Sequence, residues 1–408
     1  MKKCFLFCCL FCSLTLHTQI LTKIDSFQIP QAQIWGVISS QGDSIVLTTT
    51  FTPTPGGKPH IFLRKVSFDN IHQQSQPKQI TFDSDFQGIT NLTDHKHLVL
   101  NGEIFVAFST QGDKDLYLFK TDLNGNRIGQ IQTVVTNSSA PTNDMTLVSD
   151  GQTVSVKWFM PPNSWVRRYQ PDLSPLGPAQ SANAPPHNNL GNACFHDGKF
   201  YFFSGDKFGY NAKLVLAQFN ADWSQAVPQQ TLIPSASDGN FFASGVARDP
   251  ETGRWFVGFA HLSNSQQIGQ EHIDIAVFDQ NFALLDRQHV TGAASYRPHF
   301  VFRDGFLFVS YDQVGAHVRL EKYVVENPSG TNDGWIQSGF QIFPNPFSES
   351  LQVAWNGSER CNIRVFSAGG RLVLQNHFLT EKTFDTHDWD AGVYFIEICG
   401  EWRKVFKR

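Results

Sequence analysis

Phe119-Lys120-Thr121-Asp122-Leu123 returns along the chain as Tyr169-Gln170-Pro171-Asp172-Leu173, as Phe219-Asn220-Ala221-Asp222-Trp223 and as Phe278-Asp279-Gln280-Asn281-Phe282. Phe68-Asp69-Asn70-Ile71 is a looser copy. The pattern is an aromatic residue, two variable residues, Asp or Asn, then an apolar residue. With Tyr323 as a sixth, the aromatics fall at 68, 119, 169, 219, 278 and 323, in steps of 51, 50, 50, 59 and 45. Upstream of each lies a turn signal followed by a β-prone run. Asn101-Gly102 precedes residues 104–108, Asp150-Gly151 precedes 154–159, Asp197-Gly198 precedes 200–203, and Asp304-Gly305 precedes 306–311. Gly42 and Gly253 mark looser copies. Asp-Gly and Asn-Gly favour the two-residue hairpin turn.

Each unit therefore reads as strand, tight turn, strand, variable loop, a third strand ending in the aromatic motif, and a fourth strand. Four strands of about six residues with their turns fill roughly 45–50 residues, the span of one propeller blade. No helical periodicity competes. The sequence predicts an all-β chain whose residues 19–326 form a six-bladed β-propeller. Five or seven blades stay open, because the first and last units are poorly delimited. The last unit lacks a fourth strand after Tyr323, and the extended residues 24–29 can supply it and close the ring.

The 408-residue chain has room for two or three domains, and a formal net charge of −4 argues against a nucleic-acid-binding face. Met1-Lys2-Lys3 followed by the apolar residues 4–16 has the layout of a secretory signal peptide, assigned to residues 1–18. No later apolar run is long enough to span a bilayer, so no transmembrane segment is expected in the mature chain. Removal of the signal would leave three of the seven cysteines, Cys194, Cys361 and Cys399. Cys361 begins one tail strand and Cys399 ends another, so an exported protein could join them in a disulfide. Cys194 reads as a buried thiol.

Residues 327–339 form a linker rich in Asn, Pro, Ser, Gly and Thr, and a second pattern follows it. Pro344-Asn345-Pro346-Phe347 leads into an alternating strand, and Gly369-Gly370-Arg371-Leu372-Val373 is a tight turn and strand. Ala391-Gly392-Val393-Tyr394-Phe395-Ile396 is a third signal, and Lys404-Val405-Phe406-Lys407 stands near the chain end. About seven short strand signals in some seventy residues point to a small immunoglobulin-like β-sandwich over 340–408. The four motifs in this order resemble the type A C-terminal sorting domain of the type IX secretion system. Ser367 departs from the family, in which an acidic residue is common there. The resemblance implies Pro344, Asn345, Pro346, Gly370, Arg371, Gly392, Tyr394, Lys404 and Lys407 as sorting-motif residues. It implies the type IX translocon and its sortase as partners, passage through the periplasm, and a final place outside the cell or on its surface.

Chemistry in the propeller is expected at the mouth of its axis, where innermost strands begin. The polar and aromatic residues upstream of the turn dipeptides include Trp35, Asp94, His95, Asn143, Asp144, His187, Asn188, Asn189, Asn192, Asn240, Arg297 and His299. Trp35, Asn143, Asn189, Asn192, Arg297 and His299 are the candidate ligand contacts, for an extracellular glycan or protein. The alternative is a calcium-dependent hydrolase, with Asp144 and Asn192 among the oxygen ligands and His299 or Asp144 as the catalytic group. The plainer reading is that these polar side chains only solvate the channel or cap loop backbones, and a glycan-binding role rests on analogy of fold and surface location. His95-Lys96-His97 reads as a solvated turn. Trp165 and Tyr210 are aromatics that could stack on sugars but more often cover an edge between blades. No sialidase Asp-box, His-Glu-x-x-His, Gly-x-Ser-x-Gly or phosphate-binding glycine loop is present.

Overall fold

The computed structural model describes residues 20–30, 32, 34–85, 92–110, 115–136, 145–160, 163–182, 191–206, 212–234, 242–261, 271–290, 295–313, 317–325, 340–343, 347–355, 361–368, 370–378, 381–398 and 401–407. The signal segment, the linker, the Pro344-Asn345-Pro346 stretch and Cys399 lie outside them. The chain divides into two compact units, Met1–Pro328 and Ser329–Arg408.

The first unit opens with β1 (Leu21–Ile29). Sheet 1 is then β2 (Ile34–Gln41), β3 (Ser44–Phe51), β4 (His60–Ser67) and β5 (Lys78–Gln79). Sheet 2 is β6 (Leu92–Leu100), β7 (Glu103–Thr110), β8 (Leu116–Asp122) and β9 (Arg127–Val135). Sheet 3 is β10 (Met145–Ser149), β11 (Val154–Met160), β12 (Asn163–Tyr169) and β13 (Gln180–Ser181). Sheet 4 is β14 (Asn192–His196), β15 (Lys199–Gly205), β16 (Leu214–Asn220) and β17 (Gln225–Ile233). Sheet 5 is β18 (Phe242–Arg248), β19 (Trp255–His261), β20 (His272–Phe278) and β21 (Leu284–Val290). Sheet 6 is β22 (Ser295–Arg303), β23 (Phe306–Gln313) and β24 (His317–Val325), with β1 as its fourth strand.

All pairings are antiparallel, and β1 runs along β24 from Leu21 opposite Val325 to Ile29 opposite Val318. The first strands β2, β6, β10, β14, β18 and β22 pack against one another in that order, and β22 packs against β2. The buried apolar clusters follow the same cycle. One joins sheets 1 and 2, one each 2 and 3, 3 and 4, 4 and 5, 5 and 6, and one joins 6 back to 1. The architecture is all-β and propeller-like.

The repeated motif has two mechanical parts. Its aromatics are buried on third strands: Tyr169, Phe219 and Phe278 at or next to the strand end and Phe119 at mid-strand. Its acidic residue caps the reversal that follows. Asp122 Oδ1 accepts the N–H groups of Asn124 and Asn126 at 2.8 Å, and Asp222 Oδ1 accepts Ser224 N–H at 2.9 Å. In the fourth copy the cap is Asp279, which binds Asn281 N and Ala283 N, both at 2.8 Å. This short-range bonding is what makes Asp a turn former. The apolar residue then adopts positive φ: 71° at Leu173, 66° at Trp223 and 67° at Phe282. Such a conformation costs a bulky residue about 1–2 kcal/mol. It is offset by burial against the preceding sheet. Trp223 stacks on Phe200 with centroids 4.6 Å apart, and its indole N–H reaches Ser155 of sheet 3 at 2.9 Å.

Asn101-Gly102, Asp197-Gly198 and Asp304-Gly305 all show positive φ at both positions, as the tight hairpin requires. Asp150-Gly151 differs. Ser149 pairs with Val154, which leaves a four-residue loop over 150–153, and Asp150 Oδ1 caps it by accepting Thr153 N–H at 2.6 Å.

The second unit has two sheets: β25 (Phe340–Phe343), β26 (Ser350–Trp355) and β29 (Glu381–Asp385) in one, β27 (Cys361–Ser367), β28 (Leu372–Phe378), β30 (Gly392–Ile398) and β31 (Glu401–Lys407) in the other. They share one apolar cluster, with Leu351, Val353 and Phe384 from the first and Ile363, Val365, Ile396, Ile398 and Val405 from the second. Cys361 starts β27 and Cys399 follows β30, and these strands are antiparallel neighbours. Cys399 lies outside the described residues, so the proposed bond does too. Gly370 turns at φ +78°, with its N–H on Ser367 O at 2.9 Å, just before Arg371. Phe347 is buried; its N–H bonds Phe406 O at 2.8 Å and its ring centroid lies 6.1 Å from that of Tyr394. Tyr394 donates its hydroxyl to Asp390 O at 2.7 Å, the bond that fixes a corner in many β-sandwiches. Motif residues far apart in sequence are thus joined in one small core. Lys404 and Lys407 lie on β31, which pairs with β30 along its length.

One close contact between sheets makes a sharp test. Gly245 and Gly258 are cross-strand partners, and Phe300 of β22 sits on them. A Cβ on Gly258 would lie 2.3 Å from Phe300 Cζ. Gly258→Ala is expected to destabilise the first unit by about 1–3 kcal/mol through overpacking, read as a lower urea midpoint. An unchanged midpoint would contradict this packing.

Candidate functional site

The first strands β2, β6 and β22 share an irregularity near their leading ends. Register shifts fall between Ile34 and Val37, between Leu92 and Asp94, and between Tyr296 and His299. Such bulges re-aim side chains. In β2 and β22 the residue at the bulge is Trp35, with φ 56°, and Arg297, with φ 57°. Neither is glycine, and the strain is held by contacts across the seam of sheets 6 and 1. The Arg297 guanidinium lies over the Trp35 ring at 4.9 Å, and its Nη1 is 3.4 Å from Asp312 Oδ2. Asp312 Oδ1 accepts Gly36 N–H at 3.3 Å, and the Ser310 hydroxyl donates to Gly36 O at 2.5 Å.

The expectation for His95-Lys96-His97 is overturned. These residues lie within β6 and are 0%, 8% and 5% exposed. The strand lies between sheet 1, which His95 and His97 meet, and sheet 3, against which Leu98 and Leu100 pack, and Lys96 reaches across to His299 of sheet 6. His97 bonds Ser39 Oγ through Nε2 and Thr48 Oγ1 through Nδ1, both at 2.7 Å. His95 Nε2 meets the same Thr48 hydroxyl at 2.9 Å. Lys96 Nζ lies 3.3 Å from His299 Nε2 and 3.8 Å from Asp94 Oδ1. An ammonium can only donate, so His299 Nε2 is the acceptor and its proton is on Nδ1. Sheets 1, 2 and 6 thereby place two carboxylates, two cations and three imidazoles together.

Burial sets their protonation. Desolvation lowers His97 to about 3 and holds His95 and His299 well below the usual histidine range, with Lys96 and the neighbouring rings adding to the effect. All three are neutral at physiological pH. Asp312 is raised to about 6 by burial, against the pull of Arg297. Asp94 is raised by burial, against Lys96 and Arg297. Trp35 Nε1, Asp94 Oδ1 and His95 Nδ1 are buried without a hydrogen-bond partner among the described residues. Groups of this kind are usually met by water or by a ligand. Arg297 is the most open charged member, its side chain 33% exposed.

Of the residues expected at the site, Trp35, Arg297 and His299 come together, with Asp94 and His95. Asn192 is half-buried at the start of β14, its Oδ1 accepting Ala193 N–H at 2.9 Å. Asn143, Asp144, His187, Asn188, Asn189 and Asn240 lie outside the described residues, as does Tyr210. Trp165 packs against the cluster of sheets 2 and 3, an edge-covering role. Cys194 is half-buried and free, and burial raises its thiol to about 11, which makes it a poor nucleophile. The sequence did not single out Asp312 or Thr48. Each lies on a second strand: Asp312 reaches Arg297 on the strand it pairs with, and Thr48 reaches His95 and His97 on the neighbouring sheet.

Residues 341–408 match the family described as a secretion system C-terminal sorting domain. The tail is a type IX sorting domain. The protein that carries it is therefore exported, to the medium or to the cell surface. Among the described residues no helix is long and apolar enough to cross a membrane. No curated protein matches the chain. Among solved structures the chain is similar to the phage phi92 endosialidase, at 10% identity and TM-score 0.50, over 80% of this chain and 71% of that one. It is also similar to a Trypanosoma rangeli sialidase mutant displaying trans-sialidase activity, at 7% identity and TM-score 0.46, over 93% and 88%. An α-L-arabinofuranosidase from Podospora anserina, in complex with cellotriose, matches at 11% identity and TM-score 0.40, over 62% and 95%. The first likeness bears on fold alone, and the other two carry no argument.

The buried histidines imply a pH dependence. Their folded values lie below the unfolded value near 6.5, so stability is full above that pH and is lost as pH falls below it, down to about 3 for His97. Asp312 acts with the opposite sign between about 6 and 4. His97→Gln should reduce the loss of unfolding free energy between pH 6 and 4.5 by about 1.4 kcal/mol per pH unit. Urea unfolding across that range checks it, and parallel curves for variant and wild type would contradict it.

Proposed function

We propose that the first unit is a six-bladed β-propeller that binds an extracellular glycan or protein at the leading ends of its first strands, and that the sorting domain delivers it there. The supporting observation is Arg297, partly exposed, held over Trp35 by two strained bulges and backed by Asp312. An indole face beside a cation suits a sugar ring or peptide that carries a carboxylate or a dense set of oxygens. The buried Asp94, Lys96 and His299 fix the floor beneath it. Preorganisation of this sort reduces what ordering costs on binding.

The alternative is a calcium-dependent hydrolase at the same mouth. Lys96 and Arg297 beside His299 weigh against a calcium ion there, since like charges repel in a desolvated setting. A calcium site would have to draw on oxygens such as that of Asp144, outside the described residues.

Binding of the full chain to an array of neutral and acidic oligosaccharides and acidic peptides, with and without calcium, tests the proposal. Arg297→Ala should lower binding to the acidic members at least about tenfold, or about 1.4 kcal/mol, with no need for calcium. Binding that survives the substitution, or that needs calcium, would sink this reading; calcium-dependent cleavage of an array member would favour the alternative.

A further inference from the structure

We propose that sheet 5 carries a second site, a binding site for a divalent transition-metal ion of the zinc type, formed by His261, His272, Asp274 and His289. All four lie on sheet 5, whereas the Arg297 cluster is drawn from sheets 1, 2 and 6. Strand register brings them together. His261 ends β19 and His272 starts β20, and the two are cross-strand partners. Asp274 lies two residues along β20, on the same face as His272. Its own partner on β21 is His289. Four residues with metal-binding side chains thus occupy one face of three adjacent strands.

The donor atoms of His261, His272 and Asp274 converge, and His289 joins them through Asp274. His261 Nδ1 is 2.7 Å from His272 Nε2, His272 Nε2 is 3.8 Å from Asp274 Oδ1, and Asp274 Oδ1 is 3.0 Å from His289 Nδ1. Donors on a tetrahedral ion, at bonds of about 2.0–2.1 Å, stand about 3.3 Å apart, and these spacings straddle that value. The donor atoms of His261, His272 and Asp274 all lie within 4.8 Å of one another. The rings meet nearly at right angles, 71° for His261 on His272 and 74° for His272 on His289, rather than stacking. Arg287 Nε holds the other oxygen of Asp274 at 2.7 Å, which fixes the carboxylate as outer-shell partners do in metal sites. Three imidazoles and one carboxylate suit zinc and its neighbours rather than calcium or magnesium, which take all-oxygen shells. The competing account is a hydrogen-bonded histidine network that needs no ion.

The test uses the untagged full chain, stripped with chelator and titrated with zinc, cobalt and calcium. The expected result is about one equivalent of zinc retained after desalting, visible bands of tetrahedral cobalt, and no response to calcium. His289→Gln and His261→Gln should each weaken cobalt binding at least tenfold while keeping the wild-type circular dichroism in metal-free buffer. His289 is the safer substitution, with its side chain 50% exposed. No retained zinc, cobalt bound in octahedral form, or equal cobalt affinity in both variants and wild type would overturn the site.

Discussion

A ring of sheets is stable only if its ends meet, because an open end leaves a row of unpaired backbone groups. Here the meeting is the pairing of β1 with β24, and a single buried carboxylate clasps it. Glu321, 1% exposed on β24, accepts from Lys23 Nζ at 3.2 Å and Ser26 Oγ at 3.3 Å, both on β1. Tyr311 and Tyr323 donate their hydroxyls to it at 3.0 and 2.5 Å. Removing a carboxylate from water is costly unless its lone pairs are taken up, and here they are. Ile20 N–H also reaches Asp286 Oδ2 at 2.9 Å, which ties the residue before β1 to sheet 5.

The candidate ligand site lies at the same seam. Arg297 and Asp312 come from sheet 6, closed by β1, and Trp35 and Gly36 come from sheet 1, which follows β1 directly. Opening the seam would separate the guanidinium from the indole and release Gly36 from Asp312 and Ser310. Closure and site geometry therefore depend on each other. The buried polar group at the first strands lowers stability by itself, since neutral histidines and a protonation-prone Asp312 are expensive to desolvate. The apolar clusters between every neighbouring pair of sheets are what let the fold carry it.

What could be read from the residues was what is written locally. The aromatic-x-x-Asp period, the positive-φ dipeptides and the partnerless run before residue 30 all act within a few residues of themselves, and each has its counterpart in the strands. The tail motifs were legible for the same reason. Cross-sheet chemistry was hidden. His95-Lys96-His97 resembles a wet turn until sheets 1, 3 and 6 are placed beside it, and nothing near Asp312 in sequence points to Arg297 or Gly36. Asp150-Gly151 carries the hairpin dipeptide, yet its Asp side chain stabilises a longer loop. The histidines of sheet 5 were invisible as a group, because their meeting depends on the register of three strands.

Native-state hydrogen exchange of the β1 amides tests ring closure most directly. If β1 is an integral strand, its amides bonded to β24 exchange only through global unfolding, with the same free energy and denaturant dependence as the amides joining β23 to β24. Exchange of the β1 amides by local opening, several kcal/mol below that of β23 and β24, would show a detachable arm and contradict the account.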